Sequence, residues 1–206
     1  MRDFEIVTRK SLLATLFIAL GVAANLSLGY PIGPFLFAFG LMMVCFTDSL
    51  LYTGIVGYSY RKRPEEGIGR SYIKRILYVL FTNSFFGVLI GYALGLTSPH
   101  MVMEAVAKVM TFELSAVYFI KAMFCGAIMY LCVYVWKKYR VLYGIFLGVP
   151  LFIFCGFQHS IANAIMLGVA AVTNPMTWGG ILCVMLAAAG NAVGAIFTDS
   201  CLREEF

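Results

Sequence analysis

Charge is the first thing this sequence lacks. Asp, Glu, Lys and Arg make up 12% of its 206 residues, against 62% hydrophobic residues. A soluble domain carries about a quarter charged and roughly half apolar residues, so that class is excluded. Histidine is scarcer still, with His100 and His159 the two copies. The six cysteines, Cys45, Cys125, Cys132, Cys155, Cys183 and Cys201, are scattered and form no CxxC pair. Neither a metal site nor a disulfide framework follows from that spacing. All but Cys201 lie in apolar runs, where cysteine serves as a small buried hydrophobe. No nucleophile–base pair and no ligand cluster is visible, so no enzymatic chemistry, cofactor or metal is expected. The net charge of +5 lies mostly in loop Lys and Arg and reads as membrane topology rather than nucleic-acid binding.

What is present is apolar length. Mean hydropathy is +0.90. A spanning helix takes about 20 apolar residues, so roughly six spans use almost the whole chain. No soluble domain or nucleotide-binding module fits beside them, and residues 1–206 read as one transmembrane domain. The spans are expected at Ser11–Tyr30, Pro34–Gly57, Ile76–Leu96, Leu114–Trp136, Val141–Val172 and Trp178–Phe197. A signal peptide is the rival reading of the first run, but the rest of the chain is equally hydrophobic. Residues 97–113 read as a loop with a short amphipathic helix from Met101 to Met110, and His100 as a loop residue. Asp199–Phe206 reads as a polar tail. Basic residues gather at the N-terminus, at 61–75 and at 137–140, which places both termini in the cytoplasm. The cluster at 61–75 reads as a solvated loop that can also meet anionic lipid. Gly87, Gly91 and Gly95, and Gly190 and Gly194, recur every four residues and let another helix approach closely.

Two spans contain polar interruptions. Gly156-Phe157-Gln158-His159-Ser160-Ile161-Ala162-Asn163 sets a histidine and an asparagine at bilayer depth, where polar groups face a cavity or a partner. His159 and Asn163 are four apart and share a helix face. A half-helix starting at Ser160, or at His159, would aim its N–H groups at the break and offer them to an anion. His159 can equally be a structural histidine bonded to a carbonyl. Thr47-Asp48-Ser49 interrupts the second span. Asp48 is expected to cap a half-helix starting near Leu50, with cation or proton handling as the sharper alternative. Laying Cys45–Thr53 over Cys155–Asn163 sets Asp48 opposite Gln158 and Thr53 opposite Asn163. Two broken spans, each second in a set of three, predict inverted repeats over about 9–96 and 114–199, with a binding site at the midplane.

These motifs resemble those of the formate/nitrite transporter family. Gly156–Asn163 is similar to the family pattern Gly-Phe-Glu-His-Ser-(Val/Ile)-Ala-Asn. Phe37-Ala38-Phe39-Gly40-Leu41 and Leu51-Tyr52-Thr53-Gly54 resemble Phe-Ser-x-Gly-Leu and Leu-Phe-Thr-Gly. Asn83 and Gly190-Asn191-Ala192-Val193-Gly194 are similar to Gly-Asn-x-x-Gly. The resemblance implies an all-α membrane protein of six helices with an aquaporin-like protomer, assembled as a homopentamer with a pore in each protomer. It implies His159 as the central pore histidine, with Asn163 and Thr53 beside it. Leu41 would close the cytoplasmic side, with Phe37 on the same half-helix, and Phe152 and Tyr52 would narrow the outer side. Asn83 and Asn191 would tie the broken segments to their neighbours. Three departures stand out: Leu50 where the family has an acid, Gln158 where it often has Glu, and a short connection between the first two spans. The expected function is a channel for small monovalent anions of weak acids, such as formate, nitrite, hydrosulfide or a short carboxylate, in the cell membrane. The alternative is a channel for small neutral solutes. No nucleic-acid partner is expected.

Overall fold

A computed structural model of the chain describes residues 2–60 and 70–202. Arg61, Lys62, Arg63, Glu65 and Glu66 of the expected basic loop, and residues 203–206 of the tail, lie outside the described residues. The described residues are helical, without strands. Their α-helices are α1 (Arg2–Leu28), α2 (Ile32–Phe46), α3 (Tyr52–Ile55), α4 (Arg70–Gly95), α5 (Pro99–Val109), α6 (Ala116–Tyr139), α7 (Tyr143–Phe154), α8 (Ser160–Ala170) and α9 (Trp178–Cys201), with a 3-10 turn at Val56–Tyr60 after α3. Four stretches, Phe4–Leu28, Tyr72–Gly95, Ala116–Tyr139 and Trp178–Cys201, are long and apolar enough to cross a membrane. Helices α2, α7 and α8 are apolar but shorter.

Local sequence explains most helix ends. Residues 2–10 contain neither glycine nor proline, so α1 runs nine residues ahead of the expected start at Ser11. Gly29, with φ +58, closes α1 in the left-handed region that glycine adopts without a Cβ penalty. Ser98, Ser115 and Thr177 cap α5, α6 and α9 by accepting from Met101 N, Tyr118 N and Gly180 N. Pro99 opens α5, where its missing N–H is not needed.

Helices pair closely: α1 along α2, α4 along α8, α6 along α9, and α2 against α7. The glycine stripes make two of these contacts possible. A Cβ at Gly91 would run into Ile165 O, and one at Gly168 into Val88 O, so α4 and α8 touch backbone to backbone. Gly126 against Asn191 O and Gly194 against Met123 O do the same for α6 and α9. The stripes are therefore spent inside the chain's own packing. All eleven residues of α8 are buried, whereas only Ile145, Val149, Pro150 and Phe152 of α7 are. The outer surface is apolar, with Leu77, Phe81, Phe85 and Leu89 forming an exposed row on α4.

Several expectations change here. Cys155 is exposed, as is Cys201, while the other four cysteines are buried. Asp199, read as the start of a polar tail, lies in the last turns of α9, fully buried, and accepts from the Tyr130 hydroxyl. Asp48 caps no helix. It is exposed, at φ +48, in the turn that ends α2, and α3 begins only at Tyr52 with Leu51 as a cap that makes no side-chain bond. His100 is an exposed residue in the first turn of α5 rather than a loop residue.

Candidate functional site

Two chain interruptions meet near the middle of the bundle, and each is held by one asparagine. After α2 ends at Phe46, Asp48 takes φ +48; after α7 ends at Phe154, Gly156 takes φ +66. Asn83 on α4 accepts from Tyr52 N at 2.8 Å through Oδ1. Its Nδ2 donates to Leu50 O at 3.1 Å and to Ser11 O at 3.0 Å, with Thr15 Oγ1 also in reach at 3.1 Å. Asn191 on α9 accepts from Ser160 N at 2.9 Å and donates to Gln158 O and Ala122 O, both at 2.8 Å. The roles correspond one to one. Each amide caps the first N–H of a helix, holds the carbonyl two residues earlier, and ties both to a further helix, α1 or α6. The correspondence pairs Asp48 with Gly156, Leu50 with Gln158, and Tyr52 with Ser160. That register is two residues away from the overlay of Cys45–Thr53 on Cys155–Asn163.

His159 is the N-cap of α8. Its Nδ1 accepts from Ala162 N at 3.1 Å. A backbone N–H can only donate, so Nδ1 carries no proton in this arrangement. The neutral ring therefore holds its proton on Nε2, 3.0 Å from Thr53 Oγ1. Thr53, from the first interruption, and His159, from the second, thus join directly, both essentially without exposure. The N–H groups expected to be free for an anion are largely occupied. Ser160 N is bonded to Asn191, Ala162 N to the imidazole, and Asn163 N to His159 O.

Asn163 follows one turn later. Its Nδ2 donates to Tyr118 Oη at 2.8 Å and to Gln158 Oε1 at 2.9 Å, and Gln158 Nε2 donates to Gly156 O at 3.2 Å. Phe152 stacks on the imidazole, with centroids 5.7 Å apart and planes at 27°, and meets Phe37 edge-on at 5.8 Å. Leu41, one turn along α2 from Phe37, is fully buried. The Tyr52 hydroxyl donates to Ala188 O on α9 at 3.0 Å.

A cavity of about 200 Å³ opens onto His159 and Asn163, lined also by Asn25, Tyr30, Phe37, Phe152, Glu104 and Lys108. Burial, with the charge of Lys121 behind it, holds the Lys108 ammonium below its ordinary range. A second cavity, of about 230 Å³, is lined by Asp48, Ser49, Leu51, Tyr72, Arg75, Trp136 and Lys137. Sequence reasoning missed three features. Glu104 and Lys108 carried a signal, being four apart on an amphipathic helix. Tyr118 carried none, since one tyrosine in an apolar run does not announce a partner 45 residues away. Asp199 was hidden by its position near the chain end. No group of three or more potential metal ligands occurs among the described residues.

Long apolar helices around a buried polar cluster that touches a cavity define a multi-pass membrane protein of the transport class. The sequence matches the formate/nitrite transporter family over residues 2–202, and the chain belongs to that family. Two solved structures share the fold. A pentameric formate channel with formate bound aligns at TM-score 0.74 and 17% identity, covering 94% of this chain and 92% of its own. An ion channel of the same family aligns at TM-score 0.72 and 20% identity, covering 94% of this chain and 87% of its own. No curated protein matches the sequence.

Proposed function

We propose that the chain is a channel for small monovalent anions of weak acids, formate, nitrite, hydrosulfide or a short carboxylate, with its pore running past His159. In this reading α2 with α3, and α7 with α8, each make one interrupted span. With the four long helices they give six spans, arranged as two inverted repeats over about 9–96 and 114–199 within a single channel domain. The matched asparagine clamps support the repeat. The protein sits in the cell membrane with both termini cytoplasmic and assembles as a homopentamer, as the formate channel of the same fold does. Phe37 and Phe152 form one constriction and Leu41 the other. Asn83 and Asn191 hold the broken segments, Ser160 starts the second half-helix, and Asp48 lies at the mouth of the second cavity.

The observation that carries the reading is the join of His159 to Thr53 across the two interruptions, with Asn163 beside it and a cavity above. Stripping water from an isolated anion at an apolar constriction costs far more than stripping it from the neutral acid. Lys108 and the basic residues of the second cavity raise the local anion concentration. His159 then offers the Nε2 proton as a hydrogen-bond donor, and the permeant crosses the slit as the neutral acid, its proton drawn from the aqueous side. A doubly protonated imidazole would surrender its bond to Ala162 N, so the geometry supports donation by a neutral ring. A neutral-solute channel is the second reading, favoured by one observation: the helix N–H groups at the interruption are already satisfied by protein.

The test is His159→Asn in proteoliposomes, with uptake of formate, nitrite, hydrosulfide and glycerol followed across pH. Asparagine is a good N-cap, so the variant keeps α8 and assembles. Loss of this hydrogen bond lowers anion uptake roughly two- to tenfold and changes its pH profile. Wild-type uptake and pH profile in an assembled variant would refute the pore role. Glycerol flux without anion flux in the wild-type protein would favour the second reading.

A further inference from the structure

The central cluster contains a polarity that follows from Gln158, which accepts directly from Asn163. We infer that Gln158 is a positioning residue that locks the Asn163 amide with its oxygen toward the cavity, so that the pore presents a fixed hydrogen-bond acceptor there. The inference rests on the pore reading of His159.

The chain of reasoning begins at Gly156. Its carbonyl can only accept, so the Gln158 atom 3.2 Å away is the amide nitrogen. The other end of that amide, Oε1, then faces Asn163 and can only accept, which fixes Nδ2 as the Asn163 atom 2.9 Å away. The second hydrogen of Nδ2 goes to Tyr118 Oη. Both Asn163 donors are thereby consumed, and Oδ1 has no hydrogen-bond partner among the described residues. Asn163 is 2% exposed and lines the cavity that also reaches His159. Oδ1 is not among the fully enclosed polar atoms, so it is reached from the cavity, and a permeant that displaces water there must donate to it or leave it unpaired. A carboxylate or nitrite ion has no proton to give. A protonated acid has one, and its second oxygen can accept from His159 Nε2–H in place of Thr53. The acceptor thus selects the protonated form of the weak acid at this point of the pore. The amide at position 158 is what allows this. A glutamate there, as in the family pattern, would turn a carboxylate oxygen toward the Gly156 carbonyl and break the chain of orientations whenever it is ionised.

The titratable groups facing this network are His159 at the N-cap of α8, Tyr118 on α6, Cys183 beside Tyr118, and Glu104 and Lys108 across the cavity, with Lys121 acting on Lys108. All are common to wild type and variant, so the ratio of the two fluxes isolates position 158. The experiment compares Gln158→Glu and Gln158→Met with wild type for formate uptake into proteoliposomes from about pH 4 to neutral. Assembly is checked by size exclusion at both ends of the range. A protonated glutamate donates to Gly156 O and accepts from Asn163 as glutamine does. The Gln158→Glu flux is therefore expected near wild type at the acid end and to fall about tenfold relative to it by neutral pH. Gln158→Met, which makes neither bond, is expected to be lowered by a constant factor at every pH. A Gln158→Glu ratio that is flat with pH, or Gln158→Met flux equal to wild type, overturns the lock. So does a Gln158→Glu protein that fails to assemble at the acid end, because there it makes the same bonds, or one that dissociates at neutral pH, because the lock acts on one amide and not on the fold. If the pore reading itself fails, His159→Asn transports normally; if only the lock fails, His159→Asn is impaired while Gln158→Glu tracks wild type.

Discussion

Replacing Asn191 by alanine should destabilise the protein more than almost any other single truncation of similar size. The side chain is fully buried and makes three hydrogen bonds, to Ser160 N, Ala122 O and Gln158 O. Ala122 O lies within α6 and keeps its partner in the helix ladder. Ser160 N–H and Gln158 O have no such substitute. Two buried orphan groups at about 1–3 kcal/mol each give a loss of about 2–6 kcal/mol. For a chain of this length each kcal/mol moves the midpoint by about 2–4 °C, so Asn191→Ala should melt at least about 4 °C lower. Asn83→Ala should behave alike, because Tyr52 N–H and Leu50 O lose the same kind of support. Asn191→Asp separates the two halves of the side chain's role. It keeps an acceptor for Ser160 N–H but turns a second acceptor toward two carbonyls, so it too should be destabilised. Thermal unfolding of detergent-solubilised protein, followed by the loss of the oligomer peak in size exclusion, measures all three. An Asn191→Ala protein melting within about 2 °C of wild type would refute the clamp as the element that holds the interruption.

Two further outcomes follow from packing and charge. Gly91→Val places a branched side chain where α4 meets the Ile165 carbonyl, so it should abolish assembly or leave a protein that aggregates on solubilisation, whereas Gly179→Ala, which meets only Thr177 Oγ1 at 3.8 Å, should be tolerated; equal yields of both would contradict the backbone contact. Burial and Lys121 lower the Lys108 pKa in the folded state, which penalises the ammonium there. The penalty is full below that lowered value, and stability should rise as pH climbs from it toward the ordinary value of 10.5. In Lys108→Met that part of the rise should vanish, which melting curves across the alkaline range would register; parallel profiles would count against the burial.

The long helices were legible because hydropathy alone marks a helix of 24 residues. The places where α2 and α7 end were legible as well, since Thr47-Asp48-Ser49 and Gly156-Phe157-Gln158-His159 are the polar runs that an apolar helix does not carry. Their correspondence was not. Matching cysteine to cysteine set the register by composition, whereas the positive φ angles of Asp48 and Gly156 and the bonds of the two asparagines correspond two residues away. The cap expected at Asp48 fails for a related reason. Asp48 is the residue type that caps helices locally, but the N–H of Tyr52 is satisfied from Asn83, 31 residues away, and a long-range partner leaves no local pattern.

The burial of α8 has a consequence for how the protein can vary. Every residue of that helix is enclosed by the chain's own helices, among them α4, which meets it through Gly91 and Gly168. Helix α7 is open by comparison, with Phe146, Leu147, Leu151 and Phe154 turned outward. What surrounds the outward face of α7 can reach the polar centre by one route within that helix, the ring of Phe152 stacked on His159, whereas α8 itself answers to what enters from the cavities.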